Sequence, residues 1–280
     1  MKKPSIKTWR RALQIGVAVA FILIPLLNHF RINYFTGNFL AFYAAGLPLV
    51  DPLAVLQITL KNYYLSVDLL VGAGIALGLA AALGTVFCSW VCPFGLLSEW
   101  GQSLSGRLLP RADKGMSVKG RGFRIKIILF GLGLAGFLLF STTPVLNQLS
   151  LPAWYSRIFQ FYFEQRHISL AILFLLAILL VEFAARQRLW CRYICPQSFL
   201  LIAAKLINPS RLKIGFQQDK CLSNKAMSPC QKACSLSLDP KTLGESVDTE
   251  CTNCGDCVVA CKRMGRALGF QFGLRYRNSD

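Results

Sequence analysis

The sequence predicts an all-α membrane protein of four transmembrane helices that ends in a small cysteine-rich domain. Three observations carry this prediction. Of 280 residues, 54% are hydrophobic, and mean hydropathy is +0.46, a composition of the membrane class. Four apolar runs approach the length of about 20 residues that a helix needs to cross a bilayer. They lie near Ala12–Leu27, Ser66–Phe87, Phe123–Phe140 and Ile168–Phe183. Seven of the eleven cysteines fall between Cys221 and Cys261, beyond the last run.

The first run follows a basic start, as in a secretory signal, but no A-x-A cleavage pattern follows Leu27, so it is expected to be retained as a span. The second run is rich in Gly and Ala, which lets a neighbouring helix approach closely. Net charge is +18, from 31 Lys+Arg against 13 Asp+Glu. The basic residues flank the apolar runs, which favours membrane orientation over nucleic-acid binding. Residues 1–11, 28–64, 88–122, 141–167 and 184–280 carry five, two, five, two and fifteen Lys+Arg. That alternation places both termini and the 88–122 segment in the cytoplasm, with 28–64 and 141–167 as outer loops. The expected location is a membrane that the chain crosses several times.

The second and fourth runs end alike. Phe87–Pro93 reads FCSWVCP and Trp190–Pro196 reads WCRYICP. Residues four apart share a helix face, so Cys88 stacks on Cys92 and Cys191 on Cys195, each pair on the last turn before a proline. The two halves repeat one plan of helix, outer loop, helix and C-x3-C-P. Four thiols then converge at one cytoplasmic-side site. They would serve as redox dithiols, as a soft metal or cluster site, or as inert buried cysteines. The duplication favours function.

Residues 196–208 (PQSFLLIAAKLIN) are apolar but too short to span, which suits an interfacial or core helix. The expected division is a membrane domain at 1–195, a connector at 196–210 and a C-terminal domain at 211–280. Seventy residues build a poor hydrophobic core, so something else must hold that domain together. Cys251, Cys254, Cys257 and Cys261 read CTNCGDCVVAC, the C-x2-C-x2-C-x3-C spacing of bacterial ferredoxins. Three thiolates wrap one cluster, and the fourth points to the other. Zinc, which takes two separated C-x2-C pairs, fits worse. The preceding half, CLSNKAMSPCQKAC, keeps Cys221, Cys230 and Cys234 but has Asn224 where a cysteine is due. Cross-ligation assigns Cys234 with Cys251, Cys254 and Cys257 to a complete [4Fe–4S] cluster. Cys221, Cys230 and Cys261 form an incomplete site. It leaves open a [3Fe–4S] cluster, a [4Fe–4S] cluster with another ligand (Asn224 or Asp219), or three structural thiols.

LPLVDPLAVLQ at residues 47–57, FCSWVCP, WCRYICP and CTNCGDCVVAC, in this order, resemble the NapH-type polytopic ferredoxins, which include the methylamine-utilisation type MauN. The incomplete first motif leans away from the nitrate-reduction members and toward MauN. The resemblance implies four membrane helices in the bacterial inner membrane, a cytoplasmic iron–sulfur domain, and electron relay between the quinone pool, with quinol as substrate, and a periplasmic dehydrogenase or reductase. Partners are then lipid, quinone and periplasmic or cytoplasmic redox proteins. The chain acts as an electron carrier more than as a quinol dehydrogenase subunit. The alternatives are a thiol or iron–sulfur maturation or metal-reducing factor, and a redox sensor. No Ser–His–Asp set, Walker loop or dinucleotide fingerprint supports hydrolysis or hydride transfer. Asp68 and Glu182 are expected near helix ends, His29 and His167 on the outer surface, and Trp90, Trp100, Trp154 and Trp190 in interfacial belts.

Overall fold

The structure is a computed structural model. It describes residues 5–30, 35–38, 41–44, 47–62, 66–108, 121–140, 145–165, 171–222, 228–242, 249–262 and 264–273. Each apolar run forms a helix. The first is α1 (Ile6–His29), with Pro25 in its last turns. It leads through an antiparallel meander, β1 (Phe35–Asn38), β2 (Ala41–Ala44) and β3 (Leu47–Val50), into α2 (Pro52–Asn62). Next comes α3 (Val67–Leu83), whose N-cap Ser66 accepts a hydrogen bond from the Leu69 N–H at 3.3 Å. The Gly/Ala composition of α3 is used as expected: a Cβ on Gly72 would lie 2.4 Å from the Pro48 carbonyl oxygen of β3.

After α3 come the short α4 (Phe87–Trp90) and α5 (Pro93–Leu108). The second half follows the same order: α6 (Arg121–Phe140), α7 (Val145–Gln148), α8 (Leu151–Gln165), α9 (Ala171–Ala185), a π-helical turn (Trp190–Ile194) and α10 (Pro196–Ile207). Helices α1 and α6 are long and apolar enough to cross a membrane; α3 and α9 are apolar but shorter, at 17 and 15 residues.

The two halves are interleaved. α5 of the first half packs on α9 of the second, and α10 of the second packs on α3 of the first. α1 lies on α4 and α5, as α6 lies on the π turn and α10. Residues 196–208 thus form a helix of the helical body, with Leu201, Ile202 and Ala204 buried. The segments read as plain outer loops are structured. α2 buries Leu53 completely, and Gln57 bridges to the second half, donating to Asn147 Oδ1 at 3.1 Å and accepting from the Leu146 N–H at 3.2 Å. The reason is polar satisfaction: a backbone folded back against helices needs its own hydrogen bonds, and short helices supply them.

The C-terminal region pairs β4 (Leu212–Phe216) antiparallel with β5 (Leu268–Phe272). Between them lie α11 (Pro229–Lys232) and α12 (Asp256–Cys261). Its core joins Ile214, Leu236, Leu238, Val258 and Leu268 to Cys230, Cys251, Cys257 and Cys261. The cysteines themselves occupy the centre of a domain too small for a large apolar core.

Candidate iron–sulfur and four-cysteine sites

All eleven cysteines are free thiols. Cys234, Cys251, Cys254 and Cys257 line one cavity with Leu236 and Thr252. This is the set that cross-ligation assigns to the complete cluster. Gly255 makes the loop turn, at φ 79 in the left-handed region, and α12 starts at the next residue. Burial pushes the Cys254 and Cys257 thiols well up, so an anionic thiolate there needs a cation beside it. Cys230 and Cys261 are buried in the same core, with Cys221 and Cys234 packed on it. The Ser228 hydroxyl lies 3.0 Å from Cys230 Sγ. Asp219 is exposed, and Asn224 lies outside the described residues.

Cys88, Cys92, Cys191 and Cys195 line a second cavity, walled by Leu151 and Pro152 at the start of α8 and by Gln197 of α10. The interleaving of the halves brings the two pairs together. Burial pushes the Cys88 thiol up to about 11 and Cys92 up to about 12, and raises Cys195. The connecting segments reach this cavity: the Ser150 hydroxyl, just before α8, lies 3.3 Å from Gln197 Oε1. Asp51, just before α2, is buried and accepts from the Leu53 N–H at 3.2 Å.

A third cavity joins the other two. Cys88, Cys191, Ser198, Leu236 and Thr252 line it together with Lys126. Leu236 and Thr252 also face the first cavity, and Cys88, Cys191 and Ser198 the second. Hydrogen bonds cross the same boundary. Thr85 Oγ1 donates to the Cys251 carbonyl at 3.0 Å, Ser89 Oγ to Thr252 at 2.6 Å, and Trp90 Nε1 to Asn253 at 3.3 Å. Lys205 Nζ reaches the Cys251 carbonyl at 2.9 Å. Three consecutive carbonyls of the cysteine loop are thus held by the turn that carries the first C-x3-C.

Buried charge surrounds the sites. Arg10 pairs with Glu99 of α5 at 2.5 Å and with Asp256 of α12 at 2.9 Å. Arg188 lies 3.7 Å from Glu99 and 3.8 Å from Cys191 Sγ, and its Nη2 donates to the Cys88 carbonyl at 3.3 Å. Arg192 pairs with Glu250 at 2.6 Å. Sequence reading missed Arg10, Glu99, Lys126, Arg188 and Glu250. One signal was available: a lysine just inside an apolar run is costly to bury and marks a partner.

Two expectations change. Trp90 donates to the cysteine loop, and Trp190 packs against the core formed by Cys92, Phe94, Leu151 and Leu175. Neither is an interfacial belt residue, because both lie in the cysteine turns and face the protein. Glu182 is buried and accepts hydrogen bonds from Ser98 Oγ and, at 3.0 Å, the Trp190 N–H, which gives it a structural role. Asp68 is exposed in the first turn of α3, and His167 lies outside the described residues. Among the described residues no three His, Cys, Asp or Glu side chains close on a single ion. The chemistry of the donor sets, four thiols around each cavity, fits an iron–sulfur cluster.

A family model described as "4Fe-4S binding domain" matches the chain twice, over residues 65–112 and 167–209. Each match spans one C-x3-C-P. "Putative electron transport protein YccM" of Escherichia coli (strain K12) is 29% identical over 275 residues, 91% of this chain and 72% of that one. "Ferredoxin-type protein NapH" of Haemophilus influenzae is 27% identical over 282 residues, 97% of this chain and 90% of the relative. "Methylamine utilization ferredoxin-type protein MauN" of Methylobacillus flagellatus is 28% identical over 190 residues, 67% of this chain and 62% of the relative. No solved structure matches.

Proposed function

We propose a function from one premise: the chain belongs to the NapH-type ferredoxin family. It is an iron–sulfur electron-transport protein of the membrane. In our reading α1, α3, α6 and α9 all cross the bilayer with both termini cytoplasmic, and the chain relays electrons between the quinone pool and a redox partner. The Arg10–Asp256 pair supports a common side for the start of α1 and the ferredoxin-like domain.

One observation carries the relay. The turn holding Cys88 and Cys92 is hydrogen-bonded directly to the loop holding Cys251 and Cys254, so electrons entering one site have a short bonded route to the other. Cys234, Cys251, Cys254 and Cys257 would hold one cluster, and Cys88, Cys92, Cys191 and Cys195 a second thiolate-held centre. Such groups, when bound, supply one-electron carriers. Ser89, Trp90 and Thr85 keep the loop against the cysteine turn. Lys205 and Arg10 place positive charge beside it. Leu151, Pro152 and Phe94 exclude water from the four-cysteine cavity.

The test is iron and sulfide quantification with EPR on protein in lipid nanodiscs, before and after addition of a reduced quinol analogue. Reduction of cluster signals by quinol is expected. Signals that ignore quinol but respond to Cu(II) would overturn the relay and favour a metal-reducing factor.

A further inference from the structure

Lys126 lies in α6 close to its N-terminal end and is 3% exposed. Its Nζ donates to the Cys191 carbonyl at 2.9 Å and to Ser198 Oγ at 2.6 Å. Both acceptors are neutral. Among the described residues no carboxylate pairs with it. The carboxylate in its cavity, Glu250, is held by Arg192. Arg188, 3.8 Å from Cys191 Sγ, has Glu99. Lys126 therefore has the geometry of half an ion pair. A buried ammonium without a counter-charge is strongly unfavourable, and such groups persist when an anion sits beside them. What faces it is sulfur: Cys88 and Cys191 line the same cavity, and its acceptor Ser198 also lines the four-cysteine pocket.

We propose that Lys126 is the counter-charge of an anionic, thiolate-held iron–sulfur centre in the four-cysteine pocket and raises its reduction potential. This rests on the reading that these four cysteines hold such a centre. Four neutral thiols, or two disulfides, would leave the ammonium uncompensated. Four thiolates around an iron–sulfur core carry net negative charge, and each electron added makes that charge larger. A fixed cation 2.9 Å from the Cys191 carbonyl favours the reduced form over the oxidised one, since net charge near a cluster is one of the determinants of its potential. Lys126 is thus a positioning residue acting through the field at the centre, touching no substrate.

The test is a potentiometric EPR titration of the full chain in nanodiscs, comparing wild type with Lys126→Gln, Lys126→Met and Lys126→Arg. Loss of the charge is expected to disfavour reduction of one centre about tenfold, a downward shift of about 59 mV for one electron. The other centre should hold its midpoint, and Lys126→Arg should restore the first. Should neither uncharged variant fold, Ser198→Ala, which removes the hydroxyl that anchors the ammonium, is expected to lower the same midpoint by less. Unchanged midpoints at wild-type iron content would overturn the role of Lys126 and leave the four-cysteine centre standing. Iron content and spectra that do not change in Cys88→Ser and Cys191→Ser would overturn that centre and the role with it.

Discussion

Cys234 and Cys261 make opposite predictions although both end a C-x3-C. Cys234 lines the cavity of Cys251, Cys254 and Cys257, whereas Cys261 does not. Cys234→Ser is expected to lose the ferredoxin-type EPR signal, and Cys261→Ser to keep it, with iron content read alongside. Gly95 makes a sharper steric prediction. A Cβ there would lie 2.8 Å from both Arg188 Nη2 and the Cys88 carbonyl oxygen. Gly95→Ala should push the guanidinium off the cysteine turn and cost about 1–3 kcal/mol, measurable as a lowered unfolding temperature in detergent. The cysteines were legible from spacing alone, because thiolate geometry fixes their separation along the chain. Gly95 and Arg188 were not, since their meeting depends on α5 packing against the second half, and a pairwise approach across about a hundred residues leaves no local pattern.

The four apolar runs were legible as helices because long runs of apolar residues have few other solutions. The connecting segments were not. α2 and α8 look like loop sequence, and their worth lies in contacts to elements far along the chain, such as Gln57 to Asn147. Two element-level predictions follow from the interface between the cysteine turn and the cysteine loop. Ser89→Ala removes the hydrogen bond to the Thr252 carbonyl. It should cost about 0.5–1.5 kcal/mol and slow electron equilibration between the two sites in stopped-flow absorbance. Arg10→Ala removes the strap from α1 to α5 and α12, and leaves Asp256 without its arginine. Breaking a buried ion pair of this kind costs about 3–5 kcal/mol, and the ferredoxin-like domain should become a target of limited proteolysis while the helical body stays intact.

At the scale of the whole molecule, the proposed topology, which rests on the Lys/Arg alternation and the Arg10 strap, puts both ends on the same side. Reporter fusions at residue 1 and residue 280 should both be active in the cytoplasm; opposite sides would break the four-crossing topology. The duplication was legible as a repeated motif but not as an exchange. Only packing reveals that each half covers the other's apolar helix, α5 on α9 and α10 on α3. That exchange sets the order of biogenesis. While the ribosome is still making residues 109–195, the α5 face meant for α9 and the α3 face meant for α10 both lack their cover. The first cysteine pair cannot be enclosed until residue 207 has left the exit tunnel. On the proposed reading, filling of that pocket by a cluster therefore follows translation of the second half, and a chain truncated before α10 is a nascent intermediate with an open site.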